Sequence, residues 1–94
     1  METQNFDTKA GPAALTEVPR SKIVVGAKQL RKAVQGGKAA WVYLAENADP
    51  AITEPIEEMC SELHIQITWV HTMAELGQKC GIEVGAAAAA VLNS

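Results

Sequence analysis

Apolar residues alternate between two periods along this chain, and the alternation leaves few folds open. Ile23 to Val25 is a β-branched run ended by Gly26 and reads as a strand. Lys28 to Gln35 then has Leu30, Ala33 and Val34 on one side and Lys28, Arg31, Lys32 and Gln35 on the other, the mark of an amphipathic helix. Gly36-Gly37 supplies its stop. Ala40 to Ala45 is apolar on both faces, as a central strand covered on both sides must be. Glu46 to Thr53 reads as a polar turn. After it Ile56, Met59, Cys60 and Leu63 recur at helical spacing, with Glu57, Glu58 and Glu62 facing outwards. Ile65 to Val70 returns to strand character, with Ile65, Ile67 and Trp69 on one face. Thr72 and Glu75 form a capping box that starts a short helix from about Met73 to Cys80, stopped by Gly81. Ile82 to Gly85 is a loop. Ala86 to Leu92 is a buried final run; its alanines suit a helix, yet its length and its Val-Leu end suit a strand. Strand and helix in strict alternation imply an α/β layered fold with helices on both faces of the sheet.

The 94 residues fit one domain with one modest core. Residues 1–14 show no period and read as a flexible tail, leaving 15–94 as the single domain. Pro19 limits any helix near it to a short turn. The N-terminus lacks a basic region followed by an apolar one, and the longest apolar run, Ala86 to Leu92, is far short of the ~20 residues a bilayer needs. The expectation is a soluble cytoplasmic protein with no membrane partner. Cys60 and Cys80 are too few for a disulfide framework or a structural zinc site and read as buried, reduced thiols.

Charge is divided along the chain. Arg20 to Lys38 holds six basic residues and no acid, whereas Ala39 to Gln78 holds seven acids and no Lys or Arg. The net charge of −3 argues mildly against nucleic acid, but the division predicts a basic pole and an acidic pole. A helix start carrying Gly26, Lys28 and Lys32 could hold an anion, or could be an ordinary basic surface. Ile82 and Val84, in a loop between glycines, are either buried or bind something. No catalytic constellation is present: His64 and His71 stand at element ends, Ser21, Ser61 and Ser94 lack a nucleophile elbow, and the carboxylates line a solvated helix face. No metal or cofactor site is expected, and an enzyme is the weakest reading.

From Lys22 to Leu92 the chain resembles the large-subunit ribosomal protein seven-Ae and thirty-e family, which binds kink-turn RNA. The pieces that carry the resemblance are IVVGAKQLRKAVQGGKAAWVYLAENADP, HIQITWVHTMAELGQKCGIEVG and AAAAAVL, in that order. They are most similar to the short bacterial branch. The resemblance implies a three-layer α/β/α sandwich around a mixed four-stranded sheet. It implies a non-catalytic protein that recognises and stabilises kink-turns in structured RNA, ribosomal or regulatory. The ribosome is an implied partner and a monomer the implied state.

By position, Gly26, Ala27, Lys28, Gln29, Arg31 and Lys32 match the family's helix start, which reads guanines of tandem sheared G·A pairs in an opened major groove. Ile82, Glu83, Val84 and Gly85 match the loop that covers the flipped-out nucleotide. The chain departs from the family where Lys28-Gln29 replaces Asn-Glu and where Ala27 replaces a common Thr. It also lacks the final helix of longer relatives. These departures and the acidic balance keep a second reading open, a protein-interaction module of the same fold that has lost RNA binding.

Overall fold

The computed structural model describes residues 15–93. The tail expected over residues 1–14 lies outside the described residues. A 3-10 turn at Leu15–Glu17 and another at Arg20–Lys22 flank Pro19, as its fixed φ and missing N–H require. Then follow β1 (Ile23–Val25), α1 (Ala27–Gln35), β2 (Ala39–Ala45), α2 (Pro50–Leu63), β3 (Ile67–Val70), α3 (Met73–Cys80) and β4 (Ala88–Leu92). The strands form one mixed sheet in the order β1-β4-β2-β3. β4 is antiparallel to β1 and to β2, and β2 is parallel to β3.

Side chains alternate across the sheet and create two cores. Val42, Leu44, Ala88 and Ala90 face α1 and α2, where they meet Leu30, Val34, Ile56 and Cys60. Tyr43, Ala45, Ala89 and Val91 face α3 and the first 3-10 turn, where they meet Leu76, Cys80 and Leu15. The result is the expected three-layer α/β/α sandwich. Leu30, Leu44, Ile56 and Leu76 are fully buried, and each contributes about 1.5–3 kcal/mol by leaving water. Ala88, Ala89 and Ala90 have no exposed surface. Alanine is a poor strand former, but β4 is an interior strand with helices over both faces. Its small side chains let those helices approach.

Three details differ from the sequence-based expectation. The turn after β2 is shorter than Glu46 to Thr53, because Asp49 caps α2 and Pro50 opens it; a proline at the first helical position loses no intrahelical bond. Leu63, placed by its spacing on the apolar face of α2, is 51% exposed, since it sits in the last turn before His64 closes the helix in a left-handed conformation. The strand expected from Ile65 begins at Ile67, and Trp69 is 41% exposed because β3 is an outer strand of the sheet.

Candidate nucleic-acid interface

β1, β2 and β3 share one direction, so the starts of α1, α2 and α3 gather at the carboxyl end of the sheet, together with the loop that enters β4. Ligands of open α/β sheets bind at that end. Two of the three helix starts are closed by the protein itself. Asp49 Oδ1 accepts from the Ala51 N–H at 2.9 Å. Thr72 Oγ1 accepts from the Glu75 N–H at 3.0 Å, and Asn47 Oδ1 accepts from the Met73 N–H at 2.9 Å.

The start of α1 is different. Its N-cap is Gly26, which has no side chain to cap with. Gly26 sits at φ 103°, ψ 144°, a conformation that a Cβ would strain. The N–H groups of Ala27, Lys28 and Gln29 have no acceptor among the described residues. With no acid in the first turn, the positive end of the helix dipole is uncompensated. Lys28, Gln29, Arg31 and Lys32 are exposed around it, and Gly26 and Ala27 are half-buried.

Lys28, Arg31, Lys32 and Gln35 lie along one stripe of α1 and line a shallow hollow of about 160 Å³ with no acid in its wall. Among the described residues none of these cations pairs with a carboxylate; Glu46 Oε1 lies instead 3.6 Å from His71 Nδ1, both exposed. Gln29 is exposed on the adjoining flank, off that stripe.

The loop after α3 is fastened to that helix at two points. The Ile82 N–H donates to the Gly77 carbonyl at 3.1 Å and the Ala86 N–H to the Met73 carbonyl at 3.0 Å. Between them the two apolar side chains part. Ile82 is half-buried and packs against the core on the α3 side, while Val84 is 70% exposed. Glu83 and Gly85 are also exposed. The loop runs into Ala88, whose carbonyl accepts from the Gly26 N–H at 2.9 Å. Both sequence-predicted clusters thus stand at the same end of the molecule, with Gly26 bonded to the first residue of the strand that the loop enters. Sequence reasoning did not single out Gly77 or Asn47, which position this region. Gly77 carried one signal, a glycine inside an otherwise helical pattern.

The ionisable groups with shifted behaviour lie in the core. Cys60 and Cys80 are buried and free. Burial pushes both thiols above their usual value, and Arg20 opposes the rise at Cys80. Burial, then the neighbouring Cys80, raises the Tyr43 phenol. Among the described residues no three His, Cys, Asp or Glu side chains could hold a metal ion, and no helix is long and apolar enough to cross a membrane.

Comparison with known proteins gives concordant findings. The model of the ribosomal protein L7Ae/L30e/S12e/Gadd45 family matches residues 13–94. A protein named as RNA-binding from Caldanaerobacter subterraneus subsp. tengcongensis is 52% identical over 69 residues, which are 73% of this chain and 84% of that one. RNA-binding protein YbxF from Geobacillus stearothermophilus is 44% identical over 72 residues, covering 77% of this chain and 88% of that one. The solved Giardia lamblia 15.5kD RNA binding protein superposes with a TM-score of 0.74 at 27% identity, over 79% of this chain and 62% of that one.

Proposed function

The chain belongs to the ribosomal protein L7Ae/L30e/S12e/Gadd45 family, and on that premise we propose that it is a non-catalytic, cytoplasmic RNA-binding protein that recognises kink-turns. The observation that carries the reading is the start of α1. It is the helix start at the ligand end without a side-chain cap, and it offers free N–H groups, two lysines, an arginine and a glutamine. A-form RNA hides its base edges in a deep, narrow major groove, so such a helix end can reach bases only where the groove is opened by a sharp bend.

Each residue then has a role. Gly26 lets the backbone approach closely. Lys28 donates to guanine O6 and N7, and Gln29, able to donate and accept, reads an adjoining edge. Lys32 and Arg31, one turn further on, meet phosphate. Val84 covers an unstacked base, while Ile82 anchors its loop in the core and Glu83 and Gly85 complete the rim. The protein fits the bent RNA alone, so binding shifts the RNA population toward that conformer. A monomer in contact with ribosomal or regulatory RNA satisfies this reading.

The test is equilibrium binding of Lys28→Ala and Gln29→Ala to a kink-turn RNA. Each should lose about 1–3 kcal/mol of binding, with thermal stability unchanged because both side chains are exposed. Full affinity in both variants would remove α1 from the interface.

A further inference from the structure

One edge of the sheet is left uncovered by the described residues. β3 and β1 are the two outer strands. At β1, the outward carbonyl of Ile23 is occupied, because Arg20 Nη1 donates to it at 3.1 Å. β3 has no such cover. The Val42 N–H donates to Gln66 O at 3.0 Å and the Glu46 N–H donates to Val70 O at 2.8 Å. In a parallel ladder, alternate residues bond to the same neighbour, so Gln66, Thr68 and Val70 face β2. The N–H and C=O groups of Ile67 and Trp69 therefore point away from the sheet. Among the described residues no side chain donates to or accepts from them.

Edge strands of soluble proteins are commonly blunted by a lysine, a proline or a bulge. The stretch from Ile65 to Val70 has no charge and no proline, and β3 is in continuous register with β2. It carries a tryptophan that is 41% exposed. The sequence on either side of it is one-sided in charge. Between Ala39 and Gln78 there is no Lys or Arg, and α2, which leads into β3, carries Glu54, Glu57, Glu58 and Glu62. None of these glutamates has a cationic partner among the described residues.

We infer that the β3 edge is a docking site for an extended, Lys- or Arg-bearing segment of a protein partner, which adds to the sheet as a fifth strand. The incoming backbone takes the free groups of Ile67 and Trp69. Trp69 is in register with Leu44 and so lies on the α2 face, where the cations of the alternating segment stack on its ring and answer the α2 glutamates while the apolar side chains take the opposite face. A second copy of this chain is a poorer occupant, since two acidic α2 helices would be brought side by side. RNA would be repelled for the same reason. The site is separate from the α1 interface and does not depend on the RNA reading.

The probe is a synthetic peptide of alternating Lys and Val, compared with its Glu-Val counterpart, titrated into the full-length chain labelled with nitrogen-15. The expected result is shift changes centred on the Ile67 and Trp69 amides and the Trp69 indole, slowed exchange of those two amides, and affinity for the Lys peptide at least tenfold above that for the Glu peptide. Trp69→Lys should abolish the response while leaving the fold intact. Ile67→Pro, which removes an outward N–H and no ladder bond, should weaken it at least fivefold. Shifts that map to α1, equal affinity for both peptides, or self-association through β3 would overturn the assignment.

Discussion

Replacing Gly77 by Ala tests how the loop after α3 is held and whether it contributes to RNA binding. A Cβ built on Gly77 overlaps the Val84 carbonyl oxygen outright, and it lies 3.0 Å from the Val84 carbonyl carbon and 3.2 Å from Gly85 Cα. Carbon and oxygen rarely approach closer than about 3.3 Å, so the backbone of the loop must retreat. It cannot retreat freely, because the Ile82 and Ala86 hydrogen bonds fix it to α3 on either side. Helix propensity favours alanine by about 1 kcal/mol. Overpacking against a fixed backbone costs about 1–3 kcal/mol and the strained loop hydrogen bonds about 1 kcal/mol more. The net expectation is a destabilisation of about 1–3 kcal/mol in urea unfolding. The displaced loop no longer presents Val84, so RNA affinity should fall about tenfold. Val84→Ala should lower affinity without lowering stability, since its side chain touches little of the protein. Wild-type stability of Gly77→Ala would refute the clamped loop. A stability loss with unchanged RNA affinity in both variants would refute the loop's part in recognition.

Other perturbations bear on the same frame. Thr72→Ala removes the α3 cap and should cost about 1 kcal/mol in chemical denaturation, with the Lys28 side of the interface unaffected. Alkaline pH should destabilise the fold. The thiols of Cys60 and Cys80 have folded values raised above 9.0 by burial, so their contribution is fully present below pH 9.0. It is lost as pH rises past that value and the unfolded thiols ionise while the folded ones resist. Denaturation midpoints between pH 7 and 10.5 should be level at first and then fall, and Cys60→Ala should lessen the fall; a midpoint that rises with pH would contradict the sign.

The fold was legible in the sequence wherever a local pattern and its burial agree. The Leu30-Ala33-Val34 stripe, the all-apolar β2 and the Thr72 capping box each became the element they predict. Ala86 to Leu92 was ambiguous because alanine favours helix, and only its place between β1 and β2 decides for strand. The exposure of Trp69 depends on β3 lying at the sheet edge, and strand order is not written in any local period. Leu63 failed for a similar reason, since helical spacing does not say where the sheet beneath a helix ends. Among the candidate site residues, Lys28 and Lys32 could be named from a basic helix start, and Gln29 only from the family resemblance. The parting of Ile82 from Val84 could not, because it follows from the grip of Gly77 and Met73 on the loop backbone.

The central claim is tested most directly by titrating the protein into a doubly labelled RNA that carries one kink-turn, reading end-to-end energy transfer. A matched RNA with its G·A pairs replaced serves as the control. Folding of the intact RNA alone, at nanomolar to micromolar protein and weakening as salt rises, is the predicted result. A folded protein that leaves both RNAs extended, or bends both alike, would contradict it.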